Sequence, residues 1–411
     1  MAAVAGERQE LDLELREARR NVYLLTAVQA ILGTVGPIVF AVGGVAGYQL
    51  LGADKSLATA PLTGFTVGVA LGAIFVAAAS RLLGRKAAFM LGAALGAGGS
   101  LLAAYALYEN DFWIFALALC ITGISGGFTQ KLRFAAADAS PGFYKPRAIS
   151  WILAGGVISA VLGPQLVILT KDMLAPVFFA GAFIAVVPTC LAAIAILAFL
   201  RLPDLRPVTG AVASPPARPL REIVLTQRFL TGMICGISTY ALMSFMMTGA
   251  PIAMVVGCGF SQDMATLGIQ WHVLAMFAPS FFTGMLVSRF GAERIVACGL
   301  FILMACALVA HSGIALWNFW GALILLGMGW NFGFIGATAI VASSYRPHEA
   351  DKVQGFHDII LFTAVALASF GSGKVLTAYG WDMLSAAVWP VTLVCLVLIG
   401  LLMRFGAKRT A

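Results

Sequence analysis

Two pairs of side chains in this sequence have types and spacing suited to joint chemistry. Met243 and Met247 stand four apart in MSFMM, and His272 and Met276 stand four apart in HVLAM. A spacing of four puts each pair on one helix face. Thioether and imidazole are neutral ligands that a soft monovalent copper ion accepts, and they hold it loosely enough to pass it on. Cys235 and Cys258 lie in the same stretch as candidate additional ligands, and eight of the 15 methionines fall between Met233 and Met285. Packing is the competing reading, because methionine commonly fills irregular gaps. Residue type alone leaves both open. A second candidate is the neighbouring pair His357 and Asp358. A carboxylate placed inside a membrane span has its charged form disfavoured by desolvation and could exchange a proton during transport. Its competing role is a hydrogen-bonded cap at the start of a helix.

The elements that must position these groups follow from composition. Of the 411 residues 61% are hydrophobic and only 11% charged, and mean hydropathy is +0.95. A soluble domain carries about 25% charged residues, so lipid must cover much of the surface. Apolar runs recur along the chain, each long enough for the roughly 20 residues that cross a hydrocarbon core as helix. Backbone polar groups in lipid must be satisfied internally, which favours helices. Twelve spans are predicted, at 22–48, 57–80, 87–106, 112–130, 149–170, 173–199, 229–249, 264–287, 295–312, 317–343, 353–376 and 384–403. The expected organisation is an arm at 1–21, a six-helix bundle at 22–200, a proline-rich linker at 201–228, and a second six-helix bundle with a short tail at 229–411. The acidic and basic arm fits neither a signal nor a transit peptide. Counting about 1.5 Å per residue puts Met243 roughly 8 Å and His272 roughly 13 Å below the outer face, so the two pairs could form a descending ladder.

All 26 Lys and Arg residues fall in loops or tails. With the N-terminus inside, 23 lie on the cytoplasmic side and only Lys55, Lys171 and Lys374 outside. That bias predicts cytoplasmic termini. The net charge of +8 therefore reflects membrane topology and not nucleic-acid binding. The seven cysteines include no CxxC pair, so no disulfide framework is expected. HExxH and phosphate-loop patterns do not occur, and the loops are too short for a catalytic domain, which argues against an enzyme.

The two halves carry an echo. SRLLGRK, with Arg81, Gly84 and Arg85, joins spans two and three; SRFGAER, with Arg289 and Gly291, joins spans eight and nine. These loops resemble the short basic turn of the major facilitator superfamily, with Ser288 where that turn usually has an acid. The resemblance implies an all-α membrane fold of two pseudo-symmetric six-helix bundles, with those five residues as cytoplasmic gate turns. It also implies a monomeric secondary carrier of the cytoplasmic membrane, working by alternating access on a small solute or metal ion. Gly163-Pro164 resembles a further feature of the superfamily, found in many antiporters. The MxxxM and HxxxM pairs, with Cys235 ahead of them, resemble the CcoA-type copper importers, which supply copper for cytochrome c oxidase assembly. That likeness implies Met243, Met247, His272 and Met276 as ligands of copper as cargo, with no cofactor. The segment RPHEADKVQGFHDIILF resembles one shared by these importers and the RfnT-type riboflavin transporters. The sequence therefore predicts copper import, with an organic-solute carrier, for riboflavin or drug efflux, as the alternative.

Overall fold

The computed structural model describes residues 2–202 and 218–406; the middle of the expected linker and the last residues of the tail lie outside that range. The first half comprises α1 (Ala2–Leu32), α2 (Val35–Leu50), α3 (Ala60–Leu83), α4 (Arg85–Tyr108), α5 (Phe112–Thr129), α6 (Leu132–Asp138), α7 (Lys145–Thr170) and α8 (Ala180–Ala198). The second comprises α9 (Leu220–Val224), α10 (Gln227–Ile252), α11 (Gln262–Phe277), α12 (Ser280–Phe290), α13 (Ala292–His311), α14 (Leu316–Ala342), α15 (Ala350–Ala386) and α16 (Val388–Gly406). Among the described residues ten helices are long and apolar enough to cross a membrane, or eleven with the bent pair α11 and α12. One of the ten is the 53-residue stretch Lys352–Arg404. At about 1.5 Å per residue it would be roughly 80 Å long, far more than one bilayer. It divides at Gly380, whose φ of 78° is not helical. Twelve spans result.

Several breaks lie beside a proline, where the backbone loses a donor. Pro37 cannot bond the carbonyl four residues back, and the first span breaks at Gly33 and Thr34 between α1 and α2. Pro279 does the same in span eight, where α11 and α12 meet at 41°. Pro251 ends α10 and leads into a wide turn over Ala253–Gly257. The arm expected to be a short helix or disordered is the beginning of α1. Span six starts later than expected. Turns containing Pro176 occupy the residues after Lys171, Phe179 sits at φ 68°, and only then does α8 begin.

The chain forms two compact units, Met1–Val42 with Gly64–Leu205, and Gly43–Thr63 with Arg206–Ala411. In the first, Gly64, Gly68 and Gly72 on α3 press on the backbone of Ala116, Cys120 and Ile124 on α5, and Gly123 and Gly127 on α5 return the contact to Phe65 and Val69. Lipid tails are as apolar as side chains, so close approach of backbones replaces hydrophobic exclusion as the force between helices. In the second unit Gly299 on α13 meets Gly329 and Gly333 on α14 in the same way. At the linker-side end of that unit, Ile223, Phe229, Val341 and Val353 form a buried cluster that seats α9 against α10, α14 and α15.

Candidate functional site

Helix α14 organises the region that carries the predicted ligands. His272 on α11 is fully buried, and its Nδ1 lies 2.8 Å from the Leu323 carbonyl oxygen. A carbonyl only accepts, so Nδ1 carries the hydrogen and Nε2 keeps a lone pair. Nε2 is buried with no partner. One turn on, the backbone around Met276 packs on Gly327, where a Cβ would collide with it. The Met243, Met247 and Met276 side chains are buried too. Helix α10 runs antiparallel along α14, with Gly232 against Ile340, Gly236 against Ala337, Thr239 against Gly333, and Tyr240 against Trp330. Extending that register by one and two turns carries Met243 and Met247 to the level of residues 323–330, the stretch that His272 and Met276 hold from α11. Both pairs thus sit at one level of α14, on two helices that flank it. Cys235 points elsewhere, its Sγ 3.8 Å from the Cys395 carbonyl on α16, and Cys258 is half-buried beyond the wide turn. No group of three His, Cys, Asp or Glu side chains suited to a metal ion occurs among the described residues.

Three rings share this neighbourhood. Trp330 and Phe334 on α14 are nearly parallel, at 17° and 5.2 Å between centroids. Tyr240 on α10 meets both edge-on, at 5.5 and 5.1 Å. Tyr240 and Trp330 each lie near the middle of their helices. All three residues are half-buried, yet the Trp330 Nε1 hydrogen is enclosed without an acceptor. Ser244, one turn after Tyr240 on α10, is buried and its hydroxyl also has no partner. Enclosing a polar group without a hydrogen bond costs about 1–3 kcal/mol. Spans seven and ten therefore hold unused hydrogen-bonding capacity at mid-length. Trp271 and Tyr105, by contrast, are largely exposed on their helices.

Asn331, next to Trp330, has no spare donor. Its Nδ2 donates to the Met276 carbonyl at 2.6 Å and reaches Ser280 Oγ at 2.7 Å, and its Oδ1 accepts from Thr283 at 2.5 Å. The amide thus spans the Pro279 break, tying the end of α11 to the start of α12. Sequence reasoning missed it, although a proline inside one apolar run and an amide in the middle of another were the available signals.

The turn residues take two forms. Gly84 and Gly291 precede α4 and α13 with φ of 81° and 88°, a conformation that glycine adopts without strain. Arg85 pairs with Asp138 at 3.0 Å within the first unit; Arg81 and Arg289 are exposed, the latter over the Phe290 ring. In the second unit Arg228 pairs with Glu293 at 2.7 Å. The strongest ion pair was not anticipated. Glu349, buried between α14 and α15, accepts from Arg218 through its backbone N–H, Nε and Nη2, and from the Arg346 backbone N–H. The Arg218 guanidinium and these N–H groups hold its carboxyl well below the usual carboxylate range. Arg218 is the first residue described in the second part of the linker, and Asn21 holds the linker's start by donating to the Arg201 carbonyl and accepting its N–H. Asp358 lies on the first turns of α15 with about half of its side chain exposed, 3.3 Å from His357 Nδ1. The Gly163-Pro164 step stays inside α7, with Gly163 packed against the Thr34 carbonyl at the break of span one.

Comparison with known proteins places this geometry in context. The sequence profile of the Major Facilitator Superfamily matches residues 22–369. The chain is 46% identical to the riboflavin transporter RfnT of Brucella anthropi, over 96% of its own length and 98% of the relative. It is similar in fold to the D-xylose-proton symporter, at a TM-score of 0.70 with 12% identity, covering 93% of this chain and 96% of that one. The nucleoside transporter NupG gives a TM-score of 0.71 at 13% identity, covering 92% and 99%.

Proposed function

The chain belongs to the Major Facilitator Superfamily and is a transporter, and within that family we propose that it imports riboflavin, or a solute with the same fused-ring chemistry, across the cytoplasmic membrane. The observation that carries this reading is identity of 46% running through 98% of a named riboflavin transporter. An aromatic group at mid-span, with hydrogen-bonding capacity to spare beside it, supports it, because pockets for organic solutes combine aromatic walls with a few placed polar groups. Both termini face the cytoplasm, and the two halves rock about a midplane site to give alternating access. The expected copper import gives way as the leading reading, since the named relative at this identity carries a vitamin.

A second reading is kept by one observation. The His272 ring donates from Nδ1 to a backbone carbonyl and presents a bare Nε2, the orientation that second-shell hydrogen bonds impose on metal-ligating histidines. Copper as cargo would use that nitrogen with the three buried thioethers.

One experiment separates the two. Cells lacking their own riboflavin synthesis and uptake are given this protein, and entry of labelled riboflavin and of radioactive copper is followed for the wild type, Met243→Leu and His272→Ala. Riboflavin entry with the wild type, kept in Met243→Leu at normal protein level, is expected. Absence of riboflavin entry, with copper entry that both substitutions abolish, overturns the flavin reading in favour of metal.

A further inference from the structure

We infer that Trp330, Phe334, Tyr240 and Ser244 form the seat for the planar part of the cargo: a fused heteroaromatic ring stacks on the uncovered flank of Phe334, edge-on to the indole, so that its acceptor edge takes hydrogen bonds from the in-plane Trp330 Nε1–H and from Ser244 Oγ. The inference deepens the flavin reading and rests on it for the identity of the ring. Four observations carry it. Each of the three rings keeps part of its surface uncovered, whereas an aromatic cluster built for packing, such as Phe115 against Phe183 in the first unit, is wholly buried. Trp330 and Phe334 present nearly parallel planes, so a flat ring lying in the plane of the indole stacks on Phe334. The two polar atoms beside them lack partners although they are enclosed, and Ser244 is almost fully buried. The register of α10 along α14 brings all four residues to the middle of the second unit's helices.

The donor types narrow the cargo. An indole N–H only donates, so the group opposite it must accept; a hydroxyl does either. Neither atom carries charge, and among the described residues of α10 and α14 the only ionisable side chain between Arg228 and Ser343 is that of Tyr240, along with the buried thiol of Cys235. A neutral ring with carbonyl or ring-nitrogen acceptors on one edge satisfies these terms, and a free carboxylate does not. The seat therefore reads the ring system, and the polyol chain of riboflavin lies outside it. Other hydroxyls without partners, Ser100 and Ser125, lie on α4 and α5, where Ser125 closes on Gly96 and no exposed ring stands beside them. They carry no comparable inference.

The test uses purified full-length protein and flavin fluorescence, which stacking on indole or phenol quenches. Riboflavin and lumichrome, the ring without the polyol, are expected to bind with similar affinity, and ribitol is expected not to compete. Trp330→Phe keeps an aromatic ring but removes the donor, and Ser244→Ala removes the hydroxyl; each weakens binding about tenfold, the worth of one neutral hydrogen bond. Trp330→Leu and Phe334→Leu weaken it by about ten- to a hundredfold, as loss of an aromatic platform does elsewhere, and reduce the quench at saturation. Trp330→Phe and Ser244→Ala change little volume, so they decide the matter if the leucine variants fail to fold. Wild-type riboflavin uptake with unchanged binding in Trp330→Phe and Ser244→Ala overturns the seat and leaves the flavin reading standing. Trp330-dependent binding of lumichrome without riboflavin uptake supports the seat and overturns the flavin reading. Ribitol competing as well as lumichrome overturns the seat.

Discussion

Helices α5 and α14 are the fourth spans of their respective halves, and they differ in what their faces carry. Both use glycine to bring backbones together: Gly123 and Gly127 of α5 against α3, and Gly329 and Gly333 of α14 against α13. On α5 the remaining buried polar groups are hydroxyls, and Thr122 and Thr129 bond back to carbonyls one turn earlier. On α14 the faces away from α13 carry Trp330, Asn331 and Phe334, and the Leu323 carbonyl holds an imidazole. The packing device is shared by the two halves, while the groups able to contact cargo or hold a bend are concentrated in the second. The two helices share a frame, and of the two only α14 carries a stacked pair of rings and a hydrogen-bonded amide on it.

The largest expected effect tests the shared part. A Cβ at Gly123 or Gly299 overlaps backbone atoms, of Phe65 in one half and of Gly333 in the other, and backbone cannot move aside. Gly123→Leu and Gly299→Leu should each destabilise by about 3 kcal/mol or more and remove most folded protein, measured as the monodisperse peak in size-exclusion chromatography. Gly98→Leu, where nothing lies within 4 Å, should leave that peak unchanged. A normal peak for Gly123→Leu would break the claim that backbone contact holds α3 and α5.

Next comes the amide that only α14 carries. Asn331→Leu strands the Met276 carbonyl at the Pro279 break, and Ser280 and Thr283 lose a partner. A loss of about 1–3 kcal/mol for each stranded group, read as a lower Tm, is expected. An unchanged Tm would mean that the bend is held by packing alone.

Smaller again is the pH-dependent contribution of the Glu349 clamp. Its folded carboxyl is held below the unfolded value of about 4.3, so the stabilisation is fully present above that pH and fades as pH falls below it. Wild type should exceed Glu349→Gln in Tm at pH 7, and the gap should narrow below about pH 4.3. A gap that is constant with pH would assign the effect to packing.

The smallest effect concerns the methionines. Met243→Leu conserves volume and should change stability by less than about 1.5 kcal/mol, with riboflavin uptake retained. Loss of uptake at normal protein level would extend the chemistry of the second half from rings to thioethers.

Much of the frame was legible along the chain. Span positions were, because the length of an apolar run is a local property; so were the positive-φ turns, because Gly84 and Gly291 sit between apolar runs in matching basic segments. The helical spacing of the Met and His pairs could be read as well, but not what they face, since four residues on two helices say nothing of the helix between them. Tyr240 was visible as an aromatic in a span, and its meeting with Trp330 and Phe334 was not. The clamp of Glu349 on Arg218 joins residues 131 apart, and no local pattern announces it.

Composition and the length of the apolar runs pointed to a chain that crosses lipid as helices, since exposed backbone in hydrocarbon must be satisfied internally, and the paired basic turns pointed to two related sets. Which faces of those helices meet, and so which polar atoms are left unanswered beside the rings of spans seven and ten, was decided by the tertiary structure. Helix rotation and register depend on contacts between residues far apart in the chain, and a run of apolar residues satisfies many such arrangements about equally well until all the neighbours are in place.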